Sequence, residues 1–199
     1  MLMITHLIET IKAGGALILP TETVYGLFAQ ALNEEAVNAV YRLKKRPRDK
    51  AMNLNVADFE SILAFSKQQP AYLNKLYEAF LPGPLTIILK ANAQTPYWIN
   101  SGLKTVGFRL PSHPLTAKII RATGPLIGPS ANLSGSKSGK CFNDIVKAFD
   151  GKVDGYADDA YLTGKDSTIL DLSSPKVSIL RQGAITKEQL LAKVPELPF

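Results

Sequence analysis

The 199-residue chain contains one cysteine and two histidines, and this scarcity argues against several classes of protein. The single cysteine, Cys141, leaves no internal disulfide and no cysteine cluster for structural zinc, and we interpret it as a small core residue. With His6 and His113 as the only histidines, a histidine-rich metal site or a histidine-dependent catalytic triad is difficult to build. The sequence therefore predicts no protein-held metal.

Long apolar runs are also missing. No window approaches the ~18 apolar residues of a membrane span. The N-terminal segment lacks the basic flank of a signal peptide, and Glu9 and Lys12 interrupt its apolar residues. We therefore expect a cytoplasmic protein without a membrane partner. The length and the 46% hydrophobic content suit one domain over residues 1–199.

The basic charge is concentrated in one stretch. The net charge is +6, and residues 42–50 contain six lysines and arginines against one acid, Asp49, so the remainder is nearly neutral. Such focused charge is typical of a phosphate-binding site or a local nucleic-acid contact, rather than of a uniformly basic surface.

Strands and helices are predicted to alternate irregularly, which favours an α/β or α+β fold with a single twisted mixed sheet flanked by helices. Asn33 caps a predicted helix at 34–45 that ends before Pro47, and its apolar spacing places Lys44 on the buried side. Thr186 and Gln189 form a capping box for the last helix. Asp58 is predicted to cap a short helix that contains Ile62 and Phe65. The other predicted helices lie near 6–12, 72–80, 114–123 and 143–149, and the predicted strands near 17–19, 51–57, 85–89, 105–110, 125–128, 167–172 and 177–181.

Two stretches are candidate sites. Residues 17–26 form a short apolar strand followed by Pro20 and then two threonines and Glu22, which puts polar groups at a strand exit, where ligands of open sheets bind. Residues 129–140 are rich in hydroxyl, amide and backbone donors. The glycine spacing of the second stretch does not fit a Walker motif, and Asn132 stands where a nucleophile elbow needs glycine. The basic and hydroxyl side chains that remain include no obvious general base or nucleophile. They suit phosphate positioning and electrostatic stabilisation.

Seven motifs follow one another along nearly the whole chain, at 20–27, 44–50, 82–86, 105–114, 129–135, 167–171 and 180–183. Together they resemble the YrdC-type threonylcarbamoyl-AMP synthase family. The resemblance implies a YrdC-like fold around a large basic cavity. It also implies synthesis of threonylcarbamoyl-AMP from L-threonine, bicarbonate and ATP, with release of pyrophosphate, for threonylcarbamoyladenosine modification of tRNA. The implied partners include a downstream threonylcarbamoyl transferase, and the implied cofactor is Mg²⁺ carried mainly on the phosphates of ATP.

The resemblance also implies a role for individual residues. Lys44, Arg46 and Lys50 would face the phosphates and the carbamate. Thr21, Arg109 and Ser167 would bind threonine, with Arg109 on its carboxylate. The residues implied for the nucleotide side are Thr105, Ser130, Asn132, Ser138 and Arg181. We interpret Lys45 and Arg48 as solvent-facing and Glu22 as a structural hydrogen-bonding group, because a carbamate is itself the nucleophile.

One segment departs from the family pattern. After Lys50 many members continue with Pro-Leu or Gly-Leu and an apolar strand, whereas this chain has Asn53 and Asn55. Met52, Leu54 and Val56 keep one face of the predicted strand apolar, so the two amides are predicted on its opposite face. Three functions stay open at this point: the synthase, a double-stranded RNA or tRNA-binding module of the same fold, and a paralogue that forms a different carbamoyl-adenylate.

Overall fold

The computed structural model describes residues 2–199, so Met1, which the predicted domain range includes, lies outside the described residues. Within that range the α-helices are α1 (Leu2–Lys12), α2 (Glu34–Lys44), α3 (Phe59–Phe65), α4 (Leu73–Phe80), α5 (Tyr97–Asn100), α6 (Pro114–Thr123), α7 (Phe142–Ala148) and α8 (Lys187–Lys193), and Asp159–Tyr161 forms a short 3-10 helix. The strands are β1 (Leu17–Leu19), β2 (Gly26–Gln30), β3 (Leu54–Asn55), β4 (Ser66–Lys67), β5 (Leu85–Ala91), β6 (Thr105–Arg109), β7 (Leu126–Ile127), β8 (Asp154–Gly155), β9 (Thr168–Asp171) and β10 (Ser178–Arg181).

The strands form one mixed sheet in the order β10-β9-β5-β6-β3-β7-β2-β1-β8, with β4 paired to β5 beside this path. The pairs β5–β9, β3–β6 and β1–β8 are parallel and the other pairs are antiparallel. This architecture confirms the predicted mixed α/β sheet flanked by helices.

The two faces of the sheet are covered unequally. Side chains alternate along each strand, so Leu27 and Ala29 belong to the large hydrophobic cluster and Phe28 to a smaller one on the opposite face. Helices α1 and α6 supply Leu7 and Ile119 to the smaller cluster, which covers β1, β2 and β7. The same face remains open above β3, β6, β5 and β9, and the candidate site lies there.

Helix α2 forms as its sequence predicts. The side chain of Asn33 accepts a hydrogen bond from the amide of Ala36 at 3.2 Å, which caps the first turn. The last turn ends at Lys45, whose backbone is left-handed with φ of 49°. Lys44 lies on the buried side, with 1% of its surface exposed, as the apolar spacing indicates.

Some elements differ from the prediction. Strand β2 and the two-residue strands β4 and β8 were not predicted. The segment 92–104, where no helix or strand was predicted, contains α5, and Trp98 anchors it by donating from Nε1 to the carbonyl of Ala31 at 3.0 Å. Among residues 2–199, no helix is long and apolar enough to cross a membrane.

Candidate active site

A cavity of about 240 Å³ opens on the uncovered half of the sheet. Three guanidinium groups line it, those of Arg46, Arg109 and Arg181, together with the carboxylate of Asp166. Gly26 and Gly128 also line it, so part of its wall is backbone rather than side chain. The cavity is therefore a concave, mainly cationic site that suits ligands with several anionic groups.

The turn after β1 forms one wall of the cavity. The hydroxyl of Thr21 accepts from the amides of Thr23 and Val24 at 3.1 and 3.3 Å and donates to the carbonyl of Val24 at 2.6 Å. Thr116 on α6 donates its hydroxyl to the carbonyl of Pro20 at 2.6 Å. These bonds fix the turn that follows the strand, so Thr21 lines the cavity from a rigid position.

Arg109 and Glu22 form an ion pair at the edge of this wall. Nη2 of Arg109 lies 2.8 Å from Oε1 of Glu22 and 2.5 Å from the hydroxyl of Thr23, and the amide of Ser112 donates to Oε2 of Glu22 at 2.9 Å. Burial by itself raises the pKa of Glu22, but the charge and hydrogen bond of Arg109, with the amide of Ser112, outweigh it and leave that pKa below its usual value. The structural role predicted for Glu22 is confirmed.

Lys44 holds the loop at 129–135 in place. Its ammonium donates to the carbonyl oxygens of Ser130 and Asn132, each at 2.5 Å, and lies 3.5 Å from Oδ1 of Asn132. The hydroxyl of Ser130 donates to that same Oδ1 at 2.5 Å. Burial, and then the nearby charge of Arg46, lowers the pKa of Lys44 to about 8. Ser130 therefore reaches the cavity from a loop that a buried cation organises.

Arg46 is fixed by the backbone of the chain that follows it. Its Nε donates to the carbonyl of Lys50 at 3.0 Å and its Nη2 to the carbonyl of Ala51 at 2.8 Å. The guanidinium therefore lines the cavity in a set orientation. The carbonyl of Lys50 also accepts from the hydroxyl of Tyr41 at 3.0 Å, whereas the side chain of Lys50 is exposed.

On the opposite wall, Ser167, which immediately precedes β9, contacts side chains from the two strands that flank β9. Its hydroxyl lies 3.0 Å from that of Thr86 on β5 and accepts from Nη2 of Arg181 at 3.0 Å. Nε of Arg181 donates to the carbonyl of Ser167 at 3.0 Å, and Nη1 lies 3.7 Å from a carboxylate oxygen of Asp166. Arg181 is thus oriented by the dipeptide that precedes β9.

Six of the residues predicted for the site line the cavity, namely Thr21, Arg46, Arg109, Ser130, Ser167 and Arg181. Lys44 and Asn132 lie just behind it through their bonds to the loop. The remaining predicted positions, Lys50, Thr105 and Ser138, lie outside its lining.

Thr105 lies away from the other predicted site residues. It begins β6 and Arg109 ends it, so four residue steps of extended strand place them roughly 13 Å apart. Thr105 lines a separate surface groove with Lys90 and Lys104. Local sequence could not reveal this, because a motif shows that residues are neighbours in the chain and not which end of the strand meets the cavity.

Other lining residues were not assigned to the site from the sequence. Thr86 received no role in the site from the sequence, yet it lines the cavity and contacts Ser167. Asn53 and Asn55 also line the cavity, whereas Met52, Leu54 and Val56 are buried in the core. This confirms that the two amides lie on the face opposite these apolar side chains. The alternation of apolar and polar residues around Met52 was a sequence signal for the two asparagines. The contact of Thr86 with Ser167 depends instead on the pairing of β5 with β9, which the local sequence does not show.

The site offers little to a protein-held metal. Among residues 2–199, no group of three histidine, cysteine, aspartate or glutamate side chains could hold a metal ion. Asp166 is the acidic residue in the lining, and its carboxylate is close to Arg181.

A mixed sheet with a cavity that brings together three guanidinium groups and several hydroxyls defines an anion-binding α/β protein. The family model Sua5/YciO/YrdC, described as "Telomere recombination", matches residues 9–183. The chain belongs to this family, which confirms the resemblance found in the motifs.

Two curated relatives of this chain are both named threonylcarbamoyl-AMP synthase. The threonylcarbamoyl-AMP synthase of Pyrococcus abyssi is 35% identical over 189 residues, which cover 94% of this chain and 56% of the relative. The threonylcarbamoyl-AMP synthase of Bacillus subtilis is 39% identical over 179 residues, which cover 88% of this chain and 51% of the relative. The chain therefore spans about half the length of these two relatives.

Solved structures agree with the fold. The crystal structure of P. abyssi Sua5 complexed with L-threonine superposes with a TM-score of 0.91 at 34% identity, covering 98% of this chain and 58% of that one. E. coli YciO superposes with a TM-score of 0.81 at 25% identity, covering 92% of this chain and 89% of that one. The similarity therefore extends over nearly all of this chain.

Proposed function

We propose that this chain synthesises threonylcarbamoyl-AMP from L-threonine, bicarbonate and ATP. The observation that carries the proposal is the convergence of Arg46, Arg109 and Arg181 on one cavity whose walls also present hydroxyls. An enzyme that joins an amino acid carboxylate, a carbamate and a triphosphate must neutralise several anions at once. The match to threonine-bound Sua5 over 98% of the chain supports threonine as one of these ligands.

The reaction needs no nucleophile from the protein. The amine of threonine condenses with bicarbonate to give a carbamate and water. A carbamate oxygen then attacks the α-phosphorus of ATP, the bond to the β-phosphate breaks, and pyrophosphate leaves with its electron pair. The protein contributes positioning and electrostatic stabilisation, which fixed guanidinium groups provide without rearrangement during the step.

The geometry suggests how the roles are divided. Arg109 would bind the carboxylate of threonine beside Thr21, and Ser167 would close that pocket. Arg46 and Arg181 would bind phosphates, with Ser130 on the nucleotide side.

Four further residues keep their proposed part in the site without lining the cavity. Lys44 and Asn132 would act by shaping the loop that carries Ser130. Lys50, from an exposed position, and Ser138, from a half-buried one, would reach the nucleotide.

Mg²⁺ fits this site as an ion that arrives with ATP. Mg²⁺ retains several waters and is held by substrate phosphates with one or two carboxylates, and Asp166 is the carboxylate available in the lining. The ion would neutralise the charge of the pyrophosphate leaving group. The product is a reactive mixed anhydride, so we also propose that a transferase consumes it to modify tRNA.

The decisive experiment measures pyrophosphate release from ATP with Mg²⁺ while threonine and bicarbonate are omitted in turn. We expect release only when both are present. Arg109→Ala should raise the KM for threonine strongly while ATP still binds, and the exposed Arg121→Ala serves as a matched control. Release that does not depend on threonine would refute the proposed function.

A further inference from the structure

The side-chain amide of Asn53 is a polar group in the cavity that the proposed reaction does not yet use. It lies in the lining immediately before β3, in a half-buried position. Among residues 2–199 its side chain makes no hydrogen bond, whereas the amide of Asn55 lies 3.5 Å from the carbonyl of Leu126. Asn53 therefore keeps both its donor and its acceptor free for a ligand.

Gly107 creates the place that this amide occupies. A Cβ atom at position 107 would lie 2.1 Å from Oδ1 of Asn53 and 2.8 Å from Cγ, so the amide extends across the bare backbone of β6. Leu54 pairs with Phe108 in the parallel register, which puts Asn53 beside Gly107. Arg109 follows two residues later on the same face of the strand. The free amide therefore lines the same cavity, on the same face of the sheet, as the guanidinium proposed to bind threonine.

The chemistry of the cavity indicates which ligand group this amide contacts. The carboxylate, carbamate and phosphates are anions, and the three arginines are the strong partners for them. A neutral carboxamide both donates and accepts, which matches a neutral hydroxyl that does the same. An amide in this position is left unpaired when the ligand has a methyl group instead.

We propose that the side-chain amide of Asn53 hydrogen-bonds to the side-chain hydroxyl of the amino acid substrate. This bond would select threonine over valine, the isostere that has a methyl group in place of the hydroxyl. The inference rests on the proposed function for the identity of the amino acid. Sites that hydrogen-bond a substrate hydroxyl reject analogues that lack it more strongly than apolar pockets reject an added or missing methylene.

The test compares threonine and valine in direct binding to the protein with a non-hydrolysable ATP analogue and Mg²⁺, by calorimetry. We expect wild-type protein to bind threonine at least tenfold more tightly, and Asn53→Leu to reduce this ratio about tenfold mainly by losing affinity for threonine. Asn74→Leu, at an exposed position on α4, is the matched control and should keep the wild-type ratio. Equal affinities in wild-type protein, or an unchanged ratio in Asn53→Leu, would overturn the inference.

Gly107→Ala provides an independent variant in which Asn53 itself is intact. The added methyl group displaces the far end of a flexible side chain, so the fold should tolerate it while the amide loses its place. We expect the same loss of threonine preference, and a retained preference would contradict the assignment. Binding does not require turnover, so a protein that prefers threonine through Asn53 but releases no pyrophosphate would refute the proposed function and leave this inference standing.

Discussion

The buried ammonium group of Lys44, at the end of α2, donates a hydrogen bond to the backbone carbonyl of Ser130 at 2.5 Å. The bond joins the basic stretch of the sequence to the loop whose serine lines the cavity. Lys44 is thus a positioning residue, because its donors are directed at backbone oxygens of the loop.

The first prediction concerns this loop. Lys44→Met leaves the carbonyls of Ser130 and Asn132 without their donor, so backbone amides of residues 129–136 should exchange with solvent about 5- to 150-fold faster, as expected from the loss of about 1–3 kcal/mol. The measurement is hydrogen exchange by mass spectrometry. Lys45→Met, at the exposed neighbouring position, should leave exchange unchanged. Equal protection in both variants would contradict the assigned role.

The second prediction concerns pH. Burial and then Arg46 lower the pKa of folded Lys44 to about 8 from 10.5. Between these values the unfolded chain binds more protons than the folded chain, so raising the pH favours folding. The stability of wild-type protein relative to Lys44→Met should therefore rise between pH 8 and pH 10.5, by about 3 kcal/mol at most. Urea unfolding at several pH values measures this difference, and a flat difference would show that Lys44 does not titrate there.

The extent to which the sequence anticipates this protein depends on whether a feature is local. Helix α2 was predicted because Asn33, the apolar spacing and Pro47 act within a few turns, and that spacing also placed Lys44 on the buried side. Strand β2 was not predicted because it is defined by its pairing with β1 and β7. β7 is distant in the chain, and the pairing with β1 depends on the turn between the two strands. Its apolar residues are consecutive, so the strand shows no alternation of apolar and polar residues that would predict it.

The same distinction applies to the candidate site. The motifs identified six lining residues, and the alternation around Met52 placed the two asparagines on the cavity face. The carbonyl of Lys50 accepts a hydrogen bond from Arg46 while its side chain is exposed, so the expected contact of that side chain with the phosphates stays a proposal. A loop sequence does not specify which side of the backbone faces a cavity that distant strands complete.

The third prediction concerns the ion pair between Glu22 and Arg109, whose side chains are each 12% exposed. Glu22→Gln removes the charge that orients the guanidinium, so the KM for threonine should rise several-fold, with a loss of about 1–3 kcal/mol of stability near neutral pH. Because the folded-state pKa of Glu22 is lowered, its stabilising contribution is present above the unfolded pKa and disappears as the pH falls through the folded value. The stability difference between wild type and variant should therefore shrink in acid. An acid-independent difference in unfolding free energy would argue against the ion pair.

The fourth prediction concerns the contact between Thr86 and Ser167. Their hydroxyls are 3.0 Å apart and buried, and Arg181 donates to Ser167 from the other side. Thr86→Val keeps the shape of the side chain but removes the hydroxyl, so Ser167 loses one of the two partners that fix its rotamer. The KM for threonine should rise about 3- to 10-fold, as one neutral hydrogen bond suggests, while the melting temperature changes little.

Two controls separate orientation of Ser167 from a general loss of packing at this site. Thr10→Val, on α1 and outside the cavity lining, should leave the KM for threonine unchanged. If Thr86 acts through Ser167, then Ser167→Ala combined with Thr86→Val should cost no more than Ser167→Ala alone, because the interaction has already been removed. Additive effects of the two substitutions on the KM for threonine would instead show that Thr86 contributes to the site independently of Ser167.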